Sequence, residues 1–166
     1  QTYKNWEIIF WDNVSTDRSI EIANSYDSKL RYFRGKKTVS LGAARNKALE
    51  KCRGEYIAFL DVDDVWLSEK LSIQMNQFKK NPKTVVCYSN AFHINRHNKS
   101  IDKFSDPLDA NTYEGDIFEK LLVYDFINWQ TVVINKSVAN DKLYFDTKLN
   151  ILEDYELLLR LSKKGK

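Results

Sequence analysis

The stretch Phe59-Leu60-Asp61-Val62-Asp63-Asp64 places three carboxylates within four residues, directly after the apolar run Tyr56-Ile57-Ala58-Phe59-Leu60. That run is short and β-prone, and it reads as a buried strand. Side chains alternate along a strand, so Asp61 and Asp63 are expected to point the same way, with Asp64 beginning the loop. Like charges this close raise one another's pKa unless a cation lies between them. A hard divalent cation, held by one or two carboxylates and completed by phosphate oxygens, resolves that repulsion. The stretch points to a metal-assisted phosphate or nucleotide site, with Asp63 as the metal residue. The competing reading is an acidic loop that stays solvated. Ser68 is placed to cap the following helix, so the acids are not needed for that purpose.

Other chemistry-bearing residues fall at comparable places. Asp12-Asn13 ends the apolar run Trp6-Glu7-Ile8-Ile9-Phe10-Trp11. In open α/β sheets ligands bind beyond the carboxyl ends of the strands, so two acidic strand ends converge on one rim if the strands are parallel. Asp12 or Asn13 then suits a base or ribose, or else forms only a turn and cap. Leu41-Gly42-Ala43-Ala44-Arg45-Asn46 opens a helix whose free N–H groups, with Arg45, can face a diphosphate. The alternative for Arg45 is an exposed helix residue. Glu153-Asp154 begins the last helix, where acids are favoured by the dipole. A carboxylate there can instead serve as a general base on a hydroxyl. Trp66 and Trp129 can stack on sugar faces, although core packing is the commoner fate of such rings.

The elements that must position these groups alternate in type. Strands are expected at 6–11, 30–33, 56–60 and 84–88. Helices are expected from Ser15 to Tyr26, from Leu41 to Arg53 with Gly54 at C′, and from Ser68 to Lys80. The order β-α-β-α-β-α-β predicts a layered α/β domain with right-handed crossovers. Residues 95–112 read as a long polar loop of the kind that is often functional. A short helix over 116–123, a strand over 131–134 and a helix over 153–162 follow. One domain over 1–166 is expected, with a nucleotide-binding half (1–90) and an acceptor-side half (91–166).

At 166 residues the chain can bury a real core, and its 43% hydrophobic and 13% aromatic content argues against disorder. No apolar run approaches the roughly 20 residues of a membrane span. Cys52 and Cys87 form no ligand-spaced pair and suit a reducing, cytoplasmic setting. The net charge is only +3, and the lysines cluster at helix ends, so no nucleic-acid stripe is read.

Taken together, these segments resemble the family 2 glycosyltransferases of GT-A fold, inverting and of Asp-x-Asp type. The resemblance runs through Gln1–Ile9, Asp12-Asn13-Val14-Ser15-Thr16-Asp17, Gly42–Asn46, Gly54–Leu71, Phe145-Asp146 and Glu153–Leu161. It implies a Rossmann-like layered domain with a mostly parallel sheet. It implies sugar transfer from a nucleotide-sugar donor to a glycan or lipid-linked acceptor, assisted by Mg²⁺ or Mn²⁺, in cell-envelope polysaccharide biosynthesis. Asp12 or Asn13 would contact the base, and Asp61 would lie near the ribose. Asp63 would bind the metal, and Asp64 would support the donor sugar or the metal shell. Asp154 would deprotonate the acceptor, with Glu153 the second candidate. Peripheral association with the inner face of a membrane is implied as well. The family has an earlier strand and helix before the segment at Gln1, so a longer natural protein is expected, with two strand edges unpaired in this chain.

Two readings compete with transfer. One is a non-catalytic module of the same fold that binds a glycan or a protein partner. The other is phosphoryl transfer with Asp61 as nucleophile, which needs a Lys and a Ser/Thr around the phosphoryl group.

Overall fold

The computed structural model describes residues 1–95, 97, 99–103 and 113–163. In chain order the main elements are β1 (Ile8–Asp12), α1 (Ser19–Asn24), β2 (Leu30–Arg34), α2 (Leu41–Leu49), β3 (Tyr56–Ala58), α3 (Lys70–Lys80) and β4 (Val86–Cys87). They continue with β5 (Phe92–Ile94), β6 (Ser100–Lys103), α4 (Phe118–Val123), β7 (Val133–Asn135), α5 (Lys136–Ala139) and α6 (Glu153–Ser162). The expected alternation therefore holds through β4.

The ladders are mixed in direction. β1 and β2 pair in parallel, from Ile8 opposite Leu30 to Asp12 opposite Arg34. A second sheet has the order β3-β7-β4, with β7 antiparallel to both neighbours. β3 and β4 consequently run the same way, with a strand from the later half of the chain inserted between them. Among the described residues no ladder joins β1–β2 to β3–β7–β4. β5 and β6 form an antiparallel pair, so the expected loop over 95–112 contains a strand. The remainder of that expectation, 104–112, lies outside the described residues.

β7 is the spine of the core because Val133, Ile134 and Asn135 are all buried. Alternation sends its neighbours to opposite faces. Val133 packs with Met75 and Phe78 of α3, whereas Ile134 joins Leu121, Trp129, Phe145, Leu157, Leu158 and Leu161. The chain start is tied to the loop before α3: the Thr2 N–H donates to the Ser68 carbonyl at 2.8 Å, and Gln1 Nε2 to the Leu67 carbonyl at 2.8 Å.

Several boundaries move for local reasons. Ser15 does not cap α1, because its N–H donates to Asp12 Oδ1 at 2.6 Å in a turn that carries Val14 at φ 71°. The helix begins at Ser19, whose N–H is accepted by Asp17 Oδ1 at 3.0 Å. Its apolar stripe is shallow, since only Ala23 is buried. α2 closes at Leu49 through short turns from Lys51 to Ala48 and from Cys52 to Leu49, so Gly54 is not its C′ residue. Ser68 caps nothing; α3 starts after Glu69 without a side-chain cap. β3 ends at Ala58, and Asp61–Asp64 forms a turn closed by the Asp64 N–H on the Asp61 carbonyl at 3.2 Å.

Asp12 locks β1 to β2. Its side chain is fully buried, and Oδ2 accepts the Tyr32 hydroxyl at 2.5 Å. Desolvation alone would raise its pKa, but the bonds from Tyr32 and Ser15 and the charge of Arg34 outweigh it and hold the carboxyl below its ordinary 3.8. A depressed carboxylate stabilises the fold above its unfolded value and loses that contribution as pH falls through the folded one. Urea titrations should therefore show stability falling below about pH 4. Asp12→Asn should flatten that part of the profile; an unchanged acid limb would contradict this role.

Candidate active site

The site is built around a cation. Ser40 caps α2, its hydroxyl accepting the Ala43 N–H at 3.4 Å. Gly42 lets the helix start approach the segment that leads into α6, because a Cβ there would sit 3.3 Å from Phe145 Cβ, 3.4 Å from the Asp146 carbonyl oxygen and 3.6 Å from Glu153 Cγ. Three residues later Arg45 reaches into the same space. Its Nη1 donates to Glu153 Oε1 at 2.8 Å and lies 3.7 Å from Asp154 Oδ2, while Nη2 is 3.8 Å from Asp61 Oδ1. Its guanidinium carbon lies 5.6 Å from the Trp129 ring centre and 5.4 Å from that of Phe145. Asn46 fixes the other partner, pairing both amide atoms with the Phe145 backbone at 2.7 and 2.8 Å.

Arg45 is thus a buried residue, not an exposed helix position, and Glu153 is its closest partner. The side chains of Arg45 and Glu153 are only 10% and 6% exposed. Asp154 stands at the edge with 30% exposure, Oδ1 accepting the Tyr155 N–H at 2.8 Å and Oδ2 facing Arg45. Leu152, just before the pair, has φ 61°, a left-handed conformation costly for a side chain of this type. Asp125 is a further acid whose pKa is raised, first by desolvation and then by Asp154.

Asp61 is held by Gln130, which the sequence reading did not single out. Gln130 Oε1 accepts the Asp61 N–H at 2.9 Å, and Nε2 donates to Asp61 Oδ2 at 2.6 Å. These contacts and Arg45 disfavour Asp61 as a phosphoryl nucleophile. Asp63 and Asp64 are exposed, and among the described residues neither carboxylate is paired with a cation. The Asp64 carboxyl is pushed up by desolvation, then by Asp63 and Asp61. This uncompensated crowding and the all-oxygen donor set fit a hard divalent cation that keeps other ligands. No group of three His, Cys, Asp or Glu side chains is arranged as a metal cage among the described residues.

Asp12 and Asn13 end β1 as expected, but their polar atoms are engaged within the protein. Asn13 pairs with the Val39 backbone, Nδ2 to the carbonyl at 2.8 Å and Oδ1 from the N–H at 3.1 Å. Both residues hold the turn in this conformation. Trp129 is a core ring, 7% exposed, and its buried indole N–H has no partner among the described residues. Trp66 is half-buried, donates to the Gln130 carbonyl at 2.8 Å, and carries the Lys70 ammonium 4.1 Å above its ring centre. Lys70 is pushed down to about 8, chiefly by desolvation.

An α/β fold with acids from a strand end and a helix start around one buried arginine is the setting in which the relatives of this chain can be considered. The profile of Glycosyl transferase family 2 matches residues 1–139, and the chain belongs to that family. It is 35% identical over 167 residues to the Escherichia coli UDP-Glc:alpha-D-GlcNAc-diphosphoundecaprenol beta-1,3-glucosyltransferase WfaP, covering 99% of this chain and 62% of that protein. It is 31% identical to the putative teichuronic acid biosynthesis glycosyltransferase TuaG of Bacillus subtilis, covering 99% and 64%. The chain therefore spans somewhat under two thirds of these relatives. The solved structure of S. aureus TarS 1-349 superposes with a TM-score of 0.67 at 18% identity, over 96% of this chain and 47% of that one, and shares the GT-A-type fold.

Removing one member of a buried ion pair leaves the other unpaired, typically at a cost of about 3–5 kcal/mol. Arg45→Met should lower the urea-unfolding free energy by about that amount. Arg45→Met/Glu153→Met should recover most of it. Additive losses in the double variant would show that Glu153 is not the principal partner.

Proposed function

We propose that the protein transfers a sugar from a nucleotide-sugar donor to an acceptor hydroxyl, with inversion at the anomeric carbon. The observation that carries this reading is the shared contact of Arg45 with Asp61, at 3.8 Å, and with Glu153 and Asp154, at 2.8 and 3.7 Å. It sets an acidic turn suited to a diphosphate beside a carboxylate suited to a hydroxyl.

The roles divide by environment. Glu153 is buried and paired, so it anchors Arg45. Asp154, partly exposed and with one oxygen spent on a backbone N–H, serves as the general base. Asp63 holds Mg²⁺ or Mn²⁺ with Asp64 beside it, and Asp61 faces the ribose. When bound, the cation offsets the negative charge that develops on the departing nucleoside diphosphate. In one in-line displacement the acceptor oxygen bonds to the anomeric carbon as the bond to the diphosphate oxygen breaks. The acceptor proton passes to Asp154. The opposed polarity of the two ends, leaving anion and incoming hydroxyl, is why two separate acidic groups are required.

The relatives supply the substrate class: a uridine-diphosphate sugar and an acceptor glycan on a lipid diphosphate. No helix among the described residues is long and apolar enough to cross a membrane.

Calorimetry with a nucleoside diphosphate and Mn²⁺ should show binding that needs the metal and is abolished by Asp63→Ala. Metal-independent binding at full strength would remove Asp63 from this role. Asp154→Asn should keep donor binding while transfer from UDP-glucose to a GlcNAc-diphosphate lipid falls by about 10²–10⁴-fold. Unchanged transfer would exclude Asp154 as the base. Donor binding by the unaltered protein with no transfer to any acceptor would favour the binding-module reading.

A further inference from the structure

Both ends of the acidic loop are fastened to one residue. Asp61, at the start, bonds Gln130 through its backbone N–H at 2.9 Å and through Oδ2 at 2.6 Å. Trp66, at the end, donates its indole N–H to the Gln130 carbonyl at 2.8 Å. Between these anchors the loop has the single internal bond from Asp64 to Asp61 noted above, and its Val62 and Val65 side chains are 90% and 65% exposed. Nothing in the packing of the loop itself fixes it, because such exposed apolar residues contribute no burial.

Gln130 is itself rigidly placed. It sits in a short 3₁₀ turn, Trp129–Thr131, whose cap residue Asn128 accepts the Gln130 N–H through Oδ1 at 3.0 Å. Trp129 on one side is buried in the core, and Thr131 on the other accepts Gln74 Nε2 on its carbonyl at 2.8 Å. The amide therefore projects from a turn flanked by buried residues toward an exposed loop. A glutamine amide is the chemistry this needs. Its oxygen accepts the N–H while its nitrogen donates to a carboxylate. It adds no charge beside Asp63 and Asp64.

We propose that Gln130 is a positioning residue for the donor: it clamps the 61–66 loop so that Asp61 is fixed while Asp63 and Asp64 stay open to a cation and a diphosphate. This rests on the transferase reading given above. Gln130 acts through Asp61 and touches no reacting atom.

Two measurements on the whole protein test it. In steady-state kinetics Gln130→Leu should raise the donor KM about tenfold, the scale expected for losing a charge-assisted hydrogen bond. The acceptor KM should stay within about twofold and the melting temperature should stay near that of the unaltered protein. A donor KM that does not change, or equal losses in both substrates, would overturn the proposal. Amide hydrogen exchange of the unliganded protein needs no donor and decides the clamp by itself. Protection at residue 61 should fall in Gln130→Leu and in Gln130→Glu, which sets two carboxylates face to face. It should return in Asp61→Asn/Gln130→Glu, which restores the side-chain bond with donor and acceptor exchanged and keeps an oxygen for the residue-61 N–H. Equal protection in all four proteins would refute the clamp. If the unaltered protein binds the donor but transfers to no acceptor, the transferase reading fails separately, and the exchange result still stands or falls alone.

Discussion

The arrangement of this domain depends on satisfying one buried guanidinium. Arg45 cannot shed its charge, so burial obliges it to find anions and hydrogen-bond acceptors. It finds them on two other parts of the chain, Asp61 after β3 and Glu153-Asp154 at the start of α6. The planar cation lies beside Trp129 and Phe145, rings of the main core that meet edge to face with centres 5.7 Å apart. Core packing and site geometry are consequently one problem. Gly42 and Asn46 belong to the same solution: one removes a side chain where α2 meets Phe145, and the other pairs with the Phe145 backbone.

Once Arg45 is placed, the acids sort themselves by what they already hold. Asp12 is engaged by Tyr32 and Ser15, Glu153 by Arg45, and Asp61 by Gln130. These three shape the walls. Asp63 and Asp64 have no cationic partner among the described residues and crowd one another, so they retain the capacity to bind a cation. Asp154 is intermediate, with one oxygen on a backbone N–H and one toward Arg45 at 3.7 Å. Under the proposed function the same carboxyl group serves as strut, ligand or base according to its hydrogen bonds, not its position in a motif.

The parts of this design legible in the sequence were those written in local pattern. Continuous apolar runs marked β1 and β3, helical spacing marked α2, α3 and α6, and strand-end acids marked the rim. What local pattern lacks is pairing across the chain. Nothing in Thr131-Val132-Val133-Ile134 announces that β7 enters between β3 and β4 and runs antiparallel to both. Arg45 was read as facing a diphosphate or else as an exposed helix residue, because its partner Glu153 is 108 positions away. Gln130 was missed for the same reason: a lone amide in an apolar stretch has meaning only beside the Asp61 it clamps. The failed caps, Ser15 and Ser68, have a different cause. The Ser15 N–H is taken by Asp12 within its own turn and the Ser68 carbonyl by Thr2 from the start of the chain, in place of a capping preference worth about 1 kcal/mol.

The insertion of β7 also ties the Asp61 turn to α6. Gln130 precedes β7 and holds the acidic loop, while the β7 residue Ile134 packs with Leu157, Leu158 and Leu161 of α6. A displacement of that strand would move the Asp61 turn and the base of α6 together. Arg45 adds a second, polar connection between the same two places. Val14 at φ 71° and Leu152 at φ 61° put the two costly backbone conformations of the rim beside Asn13 and Glu153. Such conformations persist only where surrounding bonds over-determine them. Asp12 and Asn13 supply those bonds for Val14, and the Glu153 ion pair supplies them for Leu152. The rim is therefore held by its polar network more than by the propensities of the residues that form it.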